Sequence, residues 1–450
     1  MGAISGAALG SMTGSFALTL VGAAALGVAA WRTVPARLGF SPWSLAVLVF
    51  FAPVLTMAVA PGADMAMHVA LARGLLHGVL SPAWPGVSAA LYPRGFSAVV
   101  AALAWLGYAR AGLVAAGIAY VVFWAGLAAM LEALRAPAPR TLAAVAVIVS
   151  RTPQAFFGWG GNPTALALGL ALFGAAQEGD AAAIFTAGAA AVHPMGAIAG
   201  ALAVLLRRSL KPALRAFGGL AAVLALLALF GPAVSPRELS WIRDYGLTRE
   251  RVTSGVLGDP ANVATALAAA VLLYQRRWRP VLRAAAIAAA LIAMFFLLPY
   301  AGLYPARFAP LLLLAVVPLW GEAAAAQIPM LAPIALLAGG LLGHVKWVQQ
   351  AAPMATSGDL AAIDCLARTV PPAAVIDGAY GDATQWIPAL TGHAVTHPHE
   401  HVSLFDETDA ALAKLPRATF RFYGEVMRYG DPVARTPGPK RCNGQLEELQ

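Results

Sequence analysis

Asp64 and His68 stand four residues apart in Pro61-Gly62-Ala63-Asp64-Met65-Ala66-Met67-His68, with Leu71, Arg73, Leu75 and His77 following. On a helix this spacing sets a carboxylate and an imidazole one turn apart on one face, which Leu71 and Leu75 continue. A carboxylate beside an imidazole suits proton abstraction from a hydroxyl, the task of a general base. A second role is equally open: Asp64 follows Pro61-Gly62 and could simply cap the helix.

The scarcity of acids elsewhere is what isolates Asp64. Of 450 residues, 60% are hydrophobic and 11% charged, against about 25% charged in soluble domains. Twelve of the 21 acidic residues lie beyond Lys346. Of the other nine, Glu132, Glu178, Asp180 and Glu322 fall at the ends of apolar runs, and Glu238, Asp244, Glu250 and Asp259 share the segment 231–260. Asp64 is left alone in its own loop.

Apolar runs near the ~20-residue spanning length recur from Phe16 to Trp347. They predict a polytopic α-helical membrane protein of about 12 spans: about 14–31, 42–60, 111–132, 141–157, 163–177, 181–193, 195–206, 213–230, 261–275, 282–299, 306–320 and 327–347. Residues 1–347 form the transmembrane domain and 348–450 a small soluble α/β domain. The segment Met1 to Gly14 lacks the basic start of a signal peptide, and Phe16 to Trp31 reads as a retained first span. Arg32 and Arg37, Arg135 and Arg140, Arg207, Arg208, Lys211 and Arg215, and Arg276, Arg277, Arg279 and Arg283 follow alternate spans. With those loops cytoplasmic, the positive-inside rule holds and both termini face outward. The net charge of +9 is thus explained by orientation; nucleic acid is not an expected partner.

The arginines decide two ambiguous stretches. Residues 181–206 are short for two spans, yet His193-Pro194 interrupts them, so a hairpin of short helices is expected. Arg94 to Tyr108 is expected to lie on the outer face as a surface helix, because a span there would place Arg135 and Arg140 outside. External chemistry then belongs to 61–110, 158–162, 231–260, 300–305 and the tail.

Other side chains at this outer level could contribute. Arg307, preceded by Tyr304, opens a late span at headgroup depth, where a guanidinium can grip a phosphate or merely snorkel. Tyr92 and Arg94 start the surface helix, where either can also serve as an interfacial anchor. Trp159 and Asn162, in Phe157-Gly158-Trp159-Gly160-Gly161-Asn162-Pro163, could stack on and hydrogen-bond a sugar, or act as an interfacial Trp and a helix-capping Asn. His193 stands at a helix break, where it could satisfy freed backbone groups. Loop 231–260 mixes Arg237, Trp241, Arg243 and Tyr245 with acids and could meet an acceptor or gate the site.

An aspartate shortly after an early span, then an amphipathic helix, then Tyr92-Pro93-Arg94-Gly95-Phe96, resembles the first external loop of the GT-C membrane glycosyltransferases. Arg151-Thr152-Pro153, His193-Pro194 and Leu303-Tyr304-Pro305-Ala306-Arg307-Phe308 follow in matching order. Gly381-Asp382-Ala383-Thr384-Gln385-Trp386 with Ala389-Leu390-Thr391-Gly392 is similar to the soluble end of an Ala-rich actinobacterial group in that superfamily. The resemblance covers nearly the whole chain through short motifs. It implies transfer of a sugar from a polyprenyl-phosphate donor to a glycan, lipid or protein acceptor outside the cytoplasm, at the plasma membrane. It also implies that Asp64 is the catalytic base, that Arg307, Tyr304, Arg94 and Tyr92 serve the donor phosphate, and that His68, Trp159, Asn162 and His193 serve the substrate. By analogy with actinobacterial members a pentose such as arabinose is a candidate sugar. A loop with one acid and no Asp-x-Asp predicts a mechanism without a metal or cofactor.

The tail predicts a helix from Asp359 to about Arg368, a strand at Ala373–Asp377, a helix near Asp382–Leu390, a strand at Ala394–Thr396 and a helix near Glu407–Leu415. His393, His397, His399, Glu400 and His401 invite a metal reading that Pro398 interrupts. Cys365 and Cys442 both fall in this domain: outside the cytoplasm they could form a disulfide, or remain two thiols. No Gly-rich phosphate loop or Cys-x-x-Cys appears. The competing functions are a transporter or flippase of lipid-linked sugars, a glycan polymerase or ligase, and a non-catalytic scaffold. A transporter would set ionisable groups in mid-membrane and show repeated spans.

Overall fold

The computed structural model describes residues 1–13, 15–33, 42–78, 93–151, 156–158, 160–177, 179–207, 210–230, 240, 259–301, 307–325, 353–379, 381–398, 412–428 and 440–449. Within them the chain is mostly helical. The helices are α1 (Gly2–Ser11), α2 (Phe16–Thr33), α3 (Pro42–Phe51), α4 (Ala63–His77), α5 (Gly95–Ala102), α6 (Tyr108–Ala133), α7 (Pro139–Val149), α8 (Asn162–Ala176), α9 (Ala181–Val192), α10 (Pro194–Ala203), α11 (Leu210–Phe230), α12 (Ala261–Tyr274), α13 (Trp278–Leu297) and α14 (Leu312–Ala325). Three are long and apolar enough to cross a membrane: Tyr108–Ala133, Leu210–Leu229 and Trp278–Leu297. Eight further apolar helices are shorter.

Small residues set how closely these helices pack. A Cβ on Gly6 would fall on the Gly22 carbonyl, so α1 and α2 meet backbone to backbone; Gly126 and Gly169 do the same for α6 and α8. Helix α1 was not foreseen: the N-terminal segment packs on α2, α5 and α9 rather than trailing. Its signal in the sequence is the four-residue ladder Gly2, Gly6 and Gly10.

The break at His193-Pro194 reverses the chain, as expected. Gly174 of α8 lies against Ala182 and Phe185 of α9, whereas Gly196 and Gly200 of α10 lie against Thr164 and Ala171. Helix α9 therefore runs antiparallel to α8 and α10 parallel to it. His193 itself is extended, at φ −163° and ψ 115°, and Pro194 opens the next helix.

The expected surface helix is corrected. Helix α5 has 8 residues, and Gly95 through Ala101 are all buried. Gly95 is wedged against Ala8 and Val192. Met65 to Ala70 of α4 are buried as well, so both elements are covered by protein along these stretches.

The C-terminal unit adds α15 (Ser357–Thr369), α16 (Ile387–Thr391) and a four-stranded sheet of β1 (Val375–Asp377), β2 (Ala394–Val395), β3 (Phe420–Phe422) and β4 (Leu446–Glu448) in the order β2-β1-β3-β4. Strand β1 pairs in parallel with β2 and β3, and β3 antiparallel with β4. The first helix and the first two strands fall where the sequence predicts them; β3 and β4 were missed. The helix expected near Glu407–Leu415 lies largely outside the described residues. Asp359 locks the unit: it completes a capping box with Thr356 and accepts from the Glu425 amide at 2.8 Å and Gln445 Nε2 at 2.6 Å.

Cys365 and Cys442 form a disulfide across 77 residues, tying α15 to the segment before β4. Closing a loop of that length stabilises by about 4 kcal/mol in the chain-entropy account. Cys365→Ser or Cys442→Ser is therefore expected to lower the melting temperature of the C-terminal unit, read by protease sensitivity of that unit on heating. Unchanged protection would show that the bond carries no stability.

Candidate functional site

Two glycines place the acid. Gly62, at φ 91°, is the N-cap of α4, which leaves Asp64 as the second helical residue. The capping account of Asp64 is thereby corrected: the cap is the residue two before it. Asp64 is half-buried. Gly160, at φ +90°, packs directly on it; a Cβ built there would stand 3.0 Å from Asp64 Cβ and 3.2 Å from the Met65 amide nitrogen. The turn before α8 thus touches the first turn of α4.

Asn162 is also not a cap. Gly161 caps α8 and Pro163 occupies its first turn, while the Asn162 amide donates across to Met65 Sδ at 3.2 Å. Asn162 Oδ1 is buried with no partner among the described residues. It is an acceptor held next to Asp64's helix.

On the far side of α8, Arg307 Nη1 donates to Thr164 Oγ1 at 2.5 Å and meets His193 Nε2 at 2.8 Å. The backbone of His193 satisfies its own helix ends, its amide bonding Ala189 O and its carbonyl taking the Ala197 amide. The imidazole is therefore not spent on the break; it goes to Arg307. Asp64, His68 and Arg307 all act electrostatically on His193.

His68 is buried and meets Phe96 edge-on at 5.5 Å. Phe96 lies two residues past Arg94, the buried N-cap of α5. Burial lowers the Arg94 pKa, yet a guanidinium stays charged at any pH the protein meets. All six described candidates, Asp64, His68, Arg94, Asn162, His193 and Arg307, belong to this contiguous end of the helix array. Tyr92, Trp159 and Tyr304 lie outside the described residues, as does loop 231–260 apart from Ser240, Asp259 and Pro260.

The other described acid near this end is differently employed. Asp259 accepts from Ser150 Oγ at 2.6 Å and from the Ala261 amide at 2.9 Å, so it pins α12 to the end of α7. Sequence reasoning missed that bond, and it missed Thr164 as an Arg307 partner. A threonine one turn into an apolar helix carries no distinguishing signal.

Helix α4 is braced from above. Arg73 Nη1 donates to Leu390 O at 3.1 Å, its guanidinium stacks on Tyr108 at 5.4 Å, and Gly392 comes up against Arg73 Nε. The segment 383–386 and α16 both contact α4. The C-terminal unit therefore rests on the helix that bears Asp64. In that unit His393 is buried, with Nε2 at 3.1 Å from Pro371 O and Nδ1 at 2.9 Å from Thr391 Oγ1. Both ring nitrogens are committed to structure, which answers the metal reading at this residue. His397 contacts Thr396 Oγ1, and His399, Glu400 and His401 lie outside the described residues.

A buried end that gathers one carboxylate, imidazoles and a guanidinium can take a proton from a hydroxyl and hold an anion nearby. No family model matches the chain, and no curated protein matches it.

Proposed function

We propose that the chain is a polytopic membrane glycosyltransferase with about a dozen spans, moving a sugar from a polyprenyl-phosphate donor to an extracytoplasmic acceptor. The observation that carries this reading is the grouping of Asp64, His68, His193 and Arg307 at one end of the helices, beneath the C-terminal unit. The resemblance of the loop after the second span to the GT-C enzymes supports it.

The step is an inverting displacement. The Asp64 carboxylate takes the proton of the acceptor hydroxyl as its oxygen bonds to the anomeric carbon. The bond from that carbon to the donor phosphate oxygen breaks, and its electron pair leaves with the lipid phosphate. A phosphate leaves readily and needs charge stabilisation more than a proton, which Arg307 supplies. Asn162 Oδ1 offers an acceptor for a sugar hydroxyl. The reaction needs one base and one cation.

The test is transfer from a panel of polyprenyl-phosphate sugars, pentoses included, to cell-envelope acceptors by the purified full-length protein. Product with the inverted anomeric configuration is expected; no transfer from any donor would defeat the reading. In the same assay Arg307→Lys should raise the donor KM about tenfold, because an ammonium lacks the guanidinium's fork for holding Thr164, His193 and a phosphate together. Unchanged donor kinetics would remove Arg307 from the donor site.

The rival reading is a transporter of lipid-linked sugars, which would set ionisable groups in mid-membrane, whereas the Arg307–His193 pair stands at one end of the helices. Movement of labelled donor across liposomes without glycosidic product would favour that reading.

A further inference from the structure

At the opposite end of the helices, Leu134, Leu206, Arg279, Pro280, Arg283, Ala284, Ile287, Leu314, Pro318 and Glu322 contribute to a cavity of about 270 Å³. It gathers the end of α6, the turn after α10, the start of α13 and the end of α14. The cavity has a local cause. Pro318 lies inside α14 and cannot donate to the Leu314 carbonyl, which opens that turn on the side both residues share with the cavity.

Its chemistry is two-sided. Much of the lining is aliphatic, while Arg279 and Arg283, both exposed, join it four residues apart on one face of the first turns of α13. The acid in the lining, Glu322, is engaged by Arg277, so it does not offset both arginines. The outer face of α13 leaves Leu282 at 57% and Leu297 at 67% exposure, as a helix facing acyl chains would. By the basic-loop assignment this end is cytoplasmic, where anionic lipids concentrate.

We propose that this cavity binds the phosphodiester headgroup of an anionic phospholipid, with Arg279 and Arg283 on the phosphate and an acyl chain along the aliphatic wall. The site is independent of the transfer chemistry at the other end; it rests on the helices lying in a bilayer with their basic ends cytoplasmic.

The experiment uses the full-length protein in nanodiscs of phosphatidylcholine doped with a brominated phosphatidylglycerol, reading quenching of tryptophan fluorescence, with Trp278 beside the cavity. Wild type is expected to select phosphatidylglycerol over brominated phosphatidylcholine. The double variant Arg279→Gln, Arg283→Gln is expected to lose about tenfold or more in that preference. Arg276→Gln removes the same kind of charge from an exposed position outside the lining and should keep the preference, which guards against a general charge effect. A millimolar inorganic phosphate arm should leave quenching intact. Equal quenching by both lipids, equal loss in the Arg276 variant, or displacement by free phosphate would each overturn the lipid site. Unchanged thermal melting of the double variant shows that the loss is not unfolding; if it does unfold, the single variant Arg283→Gln serves instead, with a partial loss of the preference expected and full retention overturning the site.

Discussion

Asp64→Asn is expected to reduce sugar transfer by about 10²–10⁴-fold, the range a positioned general base contributes. The amide keeps the shape of the carboxylate but cannot take a proton, so the acceptor hydroxyl would attack unassisted. Folding should be nearly untouched, because Gly62 and not Asp64 occupies the N-cap of α4. Loss of a negative charge in the first turn typically costs about 0.3–1 kcal/mol at a helix N-terminus. The measurement pairs initial transfer rates with the thermal melt of the purified protein. Transfer within about threefold of wild type, well inside the range just named, would remove Asp64 from the chemistry. Asp64→Glu supplies a contrast: it retains a base but carries it one methylene further, and should recover part of the rate.

The second large effect is expected at a residue with no side chain. Gly160→Ala would place a methyl group 3.0 Å from Asp64 Cβ and 3.2 Å from the Met65 amide, where the neighbours are helix backbone and cannot step aside cheaply. It would also force φ +90° on an L-residue, at a cost of roughly 1–2 kcal/mol. A displacement of about 1 Å at a reacting group can cost about 10²-fold in rate. Gly78→Ala separates the two causes, since Gly78 has φ +65° but nothing within 4 Å of its would-be Cβ. Backbone strain alone should leave transfer near wild type there, while Gly160→Ala should lose it. Equal effects in both variants would show that the Gly160 contact does not place the acid.

How much of this was legible in the sequence depends on the kind of force involved. Helix positions and breaks were readable because they rest on local chemistry: apolar runs, Pro194 after an extended His193, basic residues at alternate ends. Arg135 and Arg276, which close α6 and α12, both adopt positive φ, at 58° and 57°. The burial of α4 and α5 was not legible, for a physical reason. Asp64 and His68 stand on one side of α4 with Leu71 and Leu75, and Arg73 and His77 on the opposite side, so both sides carry polar groups that look alike in sequence whether they meet water or protein. Only the docking of α16 and the burial of Met65 to Ala70 separate the two cases. Backbone-to-backbone contacts such as Gly6 on Gly22 leave the least trace, because what matters is an absent atom on two helices at once. Strands β3 and β4, reading Phe-Arg-Phe and Leu-Glu-Glu, are too short to show a period. Asp64 stands out in the sequence because so few acids compete with it; its contact with Gly160 leaves no such signal.

The hydrogen bond from Arg73 to the Leu390 carbonyl joins residues 317 positions apart. Translation at about 5–20 residues per second puts roughly 15–60 s between the synthesis of the two partners. Throughout that interval α4 has its contacts with α5 and α6 but lacks those with the C-terminal unit. Order of manufacture therefore runs against order of assembly: the segment holding Asp64 is among the first to leave the ribosome, and its contacts with the C-terminal unit are among the last to form. A nascent chain halted before residue 390 should carry its membrane helices yet leave α4 open to protease, and the mature geometry around Asp64 would arise only as the final stretch closes over it.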